Sequence, residues 1–169
     1  MQTSAPQTPR TAARNAFLTT LIQSVRRDDP TRPVSAALNK NPEVDRMITV
    51  DDPLGADLDL IAINTYEGWY GKRTTAQIAE VGYRSVYDKP LLFSEFGADA
   101  KRGFVGDATQ RWSEGYQAAL YAQTLRAIEA TPQARGMSPW ILKDFRSPRR
   151  FHGTYQDYWN RKGLVDEFG

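Results

Sequence analysis

The feature that most constrains the fold is a regular alternation of short apolar runs with longer segments of helical periodicity. The runs are rich in Leu, Ile and Phe and lack a strict apolar/polar alternation, which is typical of parallel strands covered on both faces. The alternation therefore predicts an α/β fold with a parallel sheet. The predicted strands are "PVSAAL" (33–38), "LDLIAINTY" (58–66), "KPLLFSEFG" (89–97) and "RGMSPWILKDF" (135–145).

Three helices are predicted between or before these runs. The first spans Ala12 to Asp28, where Phe17, Leu18, Leu21, Ile22 and Val25 recur at the spacing of one helical face. Helices are also predicted from Thr74 to Tyr87 and from about Thr109 to Ala130. The segment 39–57, rich in Asp and Pro, is predicted to be a loop.

Two architectures fit this alternation, an open doubly wound sheet and a (β/α)₈ barrel. Both place functional groups at the carboxyl ends of parallel strands, where this sequence carries Asn64, Glu95 and Asp144. No glycine-rich phosphate loop follows any predicted strand, which argues against the open sheet. Because a closed barrel typically needs about 250 residues, a chain of 169 residues with four strands corresponds to half of one.

Composition excludes several classes of function. The 22 basic and 20 acidic residues nearly balance, so bulk charge indicates no nucleic acid partner. No apolar stretch reaches the roughly 20 residues that cross a bilayer, and no export signal is visible, so we expect a soluble chain without a membrane partner; its compartment stays open. There is no cysteine, and the single histidine, His152, has no partners at ligand spacing, so no metal site is predicted.

Four motifs make the prediction more specific, because they occur together and in order. They are "INTYEGWYG" (63–71), "KPLLFSEFGAD" (89–99), "PWILKDFRSPRR" (139–150) and "WNRKGLV" (159–165). The chain in this respect resembles the catalytic barrel of glycoside hydrolase family 2, and most closely its β-glucuronidase branch. The resemblance implies that residues 1–169 form one partial domain, the C-terminal half of a TIM barrel with about strands 5 to 8.

The resemblance also implies a reaction and its residues. The Glu of the "SEFG" motif is the nucleophile of the family, which corresponds to Glu95, and Tyr66 is implied to lie beside it and to form a hydrogen bond with it or with the sugar ring. Trp140 is implied to form an apolar wall under the sugar, and Asn64 to be a further substrate-binding residue. The implied activity is retaining hydrolysis of terminal β-glucuronides without a cofactor. A strand-end Glu taken alone would more often be one half of a salt bridge.

The basic segment near the C-terminus allows two interpretations. Arg and Lys among aromatic residues could bind single-stranded nucleic acid. By resemblance, however, an Asn-x-Lys pattern marks enzymes that recognise a uronic acid, and here Asn160 and Lys162 match it. An amide and a cation can bind the sugar carboxylate, which a neutral glycoside lacks. The roles of Arg146, Arg149 and Arg150 stay open between substrate contact and surface pairing.

One catalytic group departs from the family pattern. The general acid/base of the family is a Glu before the first predicted helix, at a position that falls near Met1, Gln2 and Thr3, where no Glu is present. We therefore expect the isolated chain to be inactive, and its open strand edges to favour association with another copy. The alternatives are a β-galactosidase or β-mannosidase of the same family, or a non-catalytic sugar-binding remnant.

Overall fold

The structure is a computed structural model that describes residues 9–169, with side chains from residue 11 onward. The helices are α1 (Pro9–Asp28), α2 (Thr75–Ile78) and α3 (Glu114–Glu129), with a 3₁₀ turn at Pro53–Ala56. The strands are β1 (Ser35–Ala37), β2 (Met47–Val50), β3 (Leu60–Asn64), β4 (Gly82–Ser85), β5 (Leu91–Glu95), β6 (Ala134–Met137), β7 (Phe145–Arg146) and β8 (Trp159–Asn160).

Strands β1, β3, β5 and β6 form a parallel sheet in that order. Ile61 pairs with Leu91 and Ile63 with Phe93, and all four side chains are completely buried. The order follows the chain without a reversal, as in neighbouring barrel strands, whereas a doubly wound sheet reverses at a switch point. The predicted parallel α/β fold is confirmed, and the strand order decides between the two predicted architectures in favour of a partial barrel.

Helices α1 and α3 cover this sheet unequally. Ile22 of α1 is buried in the core and Leu18 packs against it, but Phe17, Leu21 and Val25 are 63%, 45% and 51% exposed. Only part of the predicted apolar face of α1 therefore contacts the described residues. Helix α3 is better covered: its N-cap Ser113 accepts a hydrogen bond from the Tyr116 amide through its side chain, and Leu120 is buried.

The prediction of a helix from Thr74 to Tyr87 is wrong over most of its length. Helix α2 ends at Ile78, and residues 82–85 form β4, which pairs in parallel with β2. Strand β2 lies in the segment predicted as a loop. Val81 and Tyr83 favour a strand through their branched and aromatic side chains, and the pairing with β2 decides the outcome, because both side chains become buried there.

The other boundaries differ less. Helix α1 begins at Pro9, and α3 begins at Glu114 instead of near Thr109. The fourth predicted strand ends at Met137, and the remainder of that run forms a loop with a cis peptide between Trp140 and Ile141, followed by β7. The carboxyl ends of β3, β5 and β6 lie side by side, and this edge carries the residues described next.

Candidate active site at the strand ends

Glu95 and Tyr66 meet at the carboxyl edge of the sheet. Glu95 is the last residue of β5 and pairs in register with Asn64, the last residue of β3. Tyr66 follows two residues later, and its hydroxyl donates a hydrogen bond of 2.8 Å to Glu95 Oε2. Burial, and next the hydrogen bond to Glu95, raise the pKa of the Tyr66 phenol. The phenol therefore stays protonated and can donate a hydrogen bond to the carboxylate.

A cleft of about 320 Å³ opens in front of this pair. It combines aromatic rings with polar and charged side chains, the mixture found in sites that bind small polar ligands. The lining residues are Tyr66, Tyr70, Glu95, Trp140, Phe145, Ser147, Arg149, Arg150 and Asn160.

Trp140 forms part of the cleft wall at a position that its backbone fixes. Its amide donates a 2.9 Å hydrogen bond to the carbonyl of Phe96, and its ring packs edge-on against Phe145 at 6.0 Å. Gly97 allows this approach, because a Cβ built there would lie 2.6 Å from the carbonyl oxygen of Trp140. Gly97 also has a backbone φ of +149°, which residues with a side chain rarely adopt.

Two predicted substrate-binding amides have protein partners. Asn64 Oδ1 accepts a 2.8 Å hydrogen bond from the Ser94 hydroxyl, so the amide next to Glu95 is oriented by its neighbouring strand. Asn160 is 3% exposed, lines the cleft, and accepts a 3.2 Å hydrogen bond from the Lys162 amide at Oδ1. In both residues the carbonyl end of the amide is engaged by the protein.

Lys162 lies behind the cleft wall and not in the cleft itself. Its side chain is fully buried, and its ammonium donates a 3.0 Å hydrogen bond to Asp99 Oδ2, which also accepts from Gln156 Nε2 at 2.9 Å. The ammonium lies 5.2 Å from the Tyr70 ring centre and 5.9 Å from that of Tyr66. Its charge is thus balanced by a buried carboxylate, and contact with a substrate remains a prediction.

The cations that line the cleft are Arg149 and Arg150, whose roles the sequence left open. Arg150 Nη2 donates a 3.1 Å hydrogen bond to the Tyr70 hydroxyl. Tyr70 was not among the predicted site residues; a turn in which its amide donates a 3.2 Å hydrogen bond to the Tyr66 carbonyl brings the two rings within 5.1 Å of each other. Asp99 was likewise missed, since nothing local signals a partner 63 residues away.

Other predicted features lie elsewhere or outside the described residues. His152 packs with Trp112 and Tyr155 in an aromatic group. Among residues 9–169 no group of three or more His, Cys, Asp or Glu side chains is placed to hold a metal ion, and no described helix is long and apolar enough to cross a membrane. The position at which the family acid/base is expected, residues 1–3, lies outside the described residues.

Consecutive parallel strands with polar side chains at their carboxyl ends define the chain as part of a TIM barrel. Residues 9–153 match the family model "Glycosyl hydrolases family 2, TIM barrel domain". The chain belongs to this family, as the resemblance predicted.

Known relatives agree with this assignment. The β-glucuronidase of Felis catus is 33% identical over 162 residues, which cover 88% of this chain and 23% of the relative. The β-glucuronidase of Streptococcus agalactiae is 29% identical over 138 residues, covering 72% of this chain and 23% of the relative. The chain thus spans about a quarter of the length of the curated relatives it matches.

Solved structures support the fold. A family 2 β-galacturonidase from Eisenbergiella tayi superposes with a TM-score of 0.72 at 24% identity, covering 91% of this chain and 27% of that one. A β-glucuronidase from an uncultured Clostridium species has the same TM-score and identity and covers 91% of this chain and 26% of its own. At this level of identity the likeness establishes the partial barrel alone.

Proposed function

We propose that this chain supplies the nucleophile half of an active site that hydrolyses terminal β-glucuronides with retention of configuration. The observation that carries the proposal is the Glu95 carboxylate at the mouth of the sheet, hydrogen-bonded by Tyr66 at 2.8 Å inside a cleft with an aromatic wall and two arginines. The β-glucuronidases among the relatives support the choice of sugar.

In the proposed reaction Glu95 attacks the anomeric carbon, the bond from that carbon to the aglycone oxygen breaks, and a glycosyl ester forms. Water then hydrolyses the ester. A second carboxyl group, about 5 to 5.5 Å from the nucleophile, has to protonate the aglycone and activate that water. The family pattern places this group at residues 1–3, where the sequence has no Glu, so we propose that the 169-residue chain alone does not hydrolyse β-glucuronides at a useful rate.

The neighbouring residues have supporting roles in this proposal. Tyr66 orients Glu95 and stabilises its negative charge through the hydrogen bond. Trp140 provides an apolar face for the sugar ring, and Asn64 and Asn160 offer amide groups to its hydroxyls. Lys162 binds the sugar carboxylate together with Asn160. This contact requires the Lys162 ammonium to weaken its hydrogen bond to Asp99. No cofactor takes part.

We also propose that the chain associates with itself or with other barrel strands. Within the described residues β1 and β6 each pair on one side only, and unpaired strand edges are templates for further pairing. The proposal thus names two partner classes, a β-glycoside and a further copy of this chain, and includes no nucleic acid or membrane partner.

The test of the nucleophile uses 2-deoxy-2-fluoro-β-D-glucuronyl fluoride. Fluoride leaves without acid catalysis, so the reagent can esterify Glu95 even without the acid/base, and the adduct persists because fluorine at C2 slows its hydrolysis. We expect mass spectrometry to find the added glycosyl group on Glu95. Glu95→Gln should remain unlabelled. Glu80→Gln, which removes an exposed carboxylate paired with Arg46, should label like the original chain.

The same experiment separates the alternatives. Faster labelling by the corresponding galactosyl or mannosyl reagent would assign the chain to a β-galactosidase or β-mannosidase. Binding of methyl β-D-glucuronide without any labelling of Glu95 would contradict a hydrolase and favour the sugar-binding remnant.

A further inference from the structure

An ion pair lies behind the wall of the cleft, and both of its side chains are completely buried. The Lys162 ammonium donates a 3.0 Å hydrogen bond to Asp99 Oδ2, which also accepts one from Gln156 Nε2 at 2.9 Å. The other oxygen, Asp99 Oδ1, is buried and has no hydrogen-bond partner among the described residues. The desolvation of two buried charges roughly offsets their attraction, and an unpartnered buried oxygen is unfavourable. Stability alone therefore gives no reason for this pair, and its role has to lie in what it holds.

The backbone brings the two members of the pair together from the ends of two strands. Asp99 lies shortly after Glu95, the last residue of β5, and Lys162 lies just beyond β8. Their chain neighbours are joined through the main chain, because the Ala100 amide donates a 2.8 Å hydrogen bond to the Arg161 carbonyl. The pair therefore has a defined place relative to Glu95.

Three aromatic rings of the segment 66–70 lie close to the Lys162 ammonium. The distances from its nitrogen to the ring centres are 5.2 Å for Tyr70, 5.3 Å for Trp69 and 5.9 Å for Tyr66. A cation within about 6 Å of a ring centre is attracted to the ring, and the attraction is stronger where water is excluded. Because the ammonium is completely buried, it holds this aromatic segment in place.

One of these rings belongs to Tyr66, whose hydroxyl donates the 2.8 Å hydrogen bond to Glu95 Oε2. The sheet fixes the chain as far as Thr65, whose amide donates a 2.8 Å hydrogen bond to the Glu95 carbonyl. The direction of the Tyr66 ring then depends on its neighbours, which include the Tyr70 ring at 5.1 Å and the Lys162 ammonium. A hydrogen bond weakens steeply when its donor turns away from its acceptor, so a displaced ammonium would weaken the contact with Glu95.

We propose that Asp99 is a positioning residue for the nucleophile. It fixes the Lys162 ammonium against the Tyr66 and Tyr70 rings, and the ammonium in turn keeps the Tyr66 hydroxyl aligned with Glu95. Asp99 contacts no substrate in this role and acts through Tyr66. The inference rests on the proposed function, because it takes Glu95 as the nucleophile.

The test is a double-substitution cycle that measures the rate at which 2-deoxy-2-fluoro-β-D-glucuronyl fluoride labels Glu95. Asp99→Asn keeps an oxygen that can accept a hydrogen bond from Lys162 but removes the charge that holds the ammonium. We expect it to slow labelling by about 3- to 30-fold, the range of a cation–π contact shielded from water. In a chain that already carries Tyr66→Phe, Asp99→Asn should change the rate by no more than about 2-fold, because the hydroxyl through which it acts is absent.

Gln156→Met is a second variant that leaves both charges of the pair in place. It is included because a buried ammonium without its counterion can unfold the chain. Gln156→Met removes one of the two hydrogen bonds to Asp99 Oδ2, and we expect it to slow labelling about 3-fold, again only when the Tyr66 hydroxyl is present. Urea unfolding establishes which variants are folded under the labelling conditions.

Asp52→Asn is the matched control. The Asp52 side chain is only 8% exposed and pairs with Arg14 at 2.7 Å, but it does not line the cleft. We expect its labelling rate to stay within about 2-fold of that of the unmodified chain.

Two outcomes would overturn the inference. Equal slowing by Asp99→Asn with and without the Tyr66 hydroxyl would indicate a general structural effect. Unchanged labelling in folded Asp99→Asn, or in Gln156→Met where Asp99→Asn does not fold, would show that Asp99 does not position the nucleophile. The absence of any label on Glu95 in the unmodified chain would instead contradict the proposed function itself.

Discussion

At the scale of single residues, the central interaction is the hydrogen bond between the Tyr66 hydroxyl and Glu95 Oε2. Sequence reasoning identified both residues, because each belongs to a motif at a strand end. That the two side chains lie together was expected from the family resemblance alone, since they are 29 residues apart and meet only through the register of β3 and β5. The assignment of roles stays a prediction that the following variants test.

Tyr66→Phe removes the hydroxyl that donates to the Glu95 carboxylate. A hydrogen bond to a charged group contributes about 1.5 to 3 kcal/mol, so we expect labelling of Glu95 by the fluoroglucuronyl reagent to slow by roughly 10- to 100-fold. The measurement is the second-order rate of labelling by mass spectrometry. Tyr87→Phe is the control, because it also loses one hydrogen bond, to the Asp52 carbonyl. Equal slowing in both variants would contradict a specific role for Tyr66.

Lys40 gives a prediction about pH. Its side chain is 20% exposed, and its ammonium lies 3.4 Å from Glu67 Oε1. Burial lowers the pKa of Lys40 in the folded chain, although Glu67 acts in the opposite direction. Between this lowered pKa and the ordinary value of 10.5 the unfolded chain binds more protons than the folded one, so the contribution of Lys40 to stability rises with pH.

We therefore expect the free energy of unfolding of the unmodified chain to rise relative to that of Lys40→Met as pH increases through this window. Urea titrations at several pH values from about 8 upward measure the difference, and other groups cancel between the two proteins. Parallel curves for the two proteins would show that Lys40 titrates alike in the folded and unfolded states.

At the scale of elements, the approach of β5 to the Trp140 segment depends on Gly97. A methyl group at this position would lie 2.6 Å from the Trp140 carbonyl oxygen and 2.9 Å from the Tyr121 hydroxyl, and the backbone has a φ of +149°. We expect Gly97→Ala to cost about 1 to 3 kcal/mol of stability through overpacking and backbone strain, as measured by urea unfolding. Gly71→Ala, where nothing lies within 4 Å, should change stability far less.

The element scale is also where sequence reasoning was least accurate. The four sheet strands were predicted because each is a short apolar run, and a short apolar run indicates a buried strand. Strands β2 and β4 were missed because they are held by each other, 35 residues apart in the chain. The segment around β2 also contains Asp and Pro residues, which favour turns. The segment before β4 contains the short helix Thr75–Ile78, whose pattern suggested a longer helix.

At the scale of the whole molecule, we expect association, because α1 exposes apolar side chains and, within the described residues, β1 and β6 pair on one side only. We expect analytical ultracentrifugation to find species larger than the 19.1 kDa chain, increasing with concentration. Phe17→Ser/Val25→Ser, which reduces the exposed stripe of α1, should shift the distribution toward the monomer. A monomer at every concentration would contradict this expectation.

Turnover is the second prediction for the whole molecule. We expect the pure 169-residue chain to release no nitrophenol from 4-nitrophenyl β-D-glucuronide at a useful rate, because the proposed mechanism needs a second carboxyl group that residues 1–8 do not provide. A spectrophotometric assay measures the release. Turnover that disappears in Glu95→Gln would overturn the expectation and show that another carboxyl group of the chain serves as the acid/base.

The sequence by itself determined the class of fold, the position of the four sheet strands along the chain, the family, and the carboxylate at the end of β5. These features are local, because hydrophobic periodicity and short motifs are written within a few consecutive residues. Only the tertiary structure decided which charges are available in the cleft. Lys162 meets Asp99 63 residues away, and Arg150 meets Tyr70 80 residues away. The free energy of a charge depends on burial and on such distant partners, which no local pattern encodes.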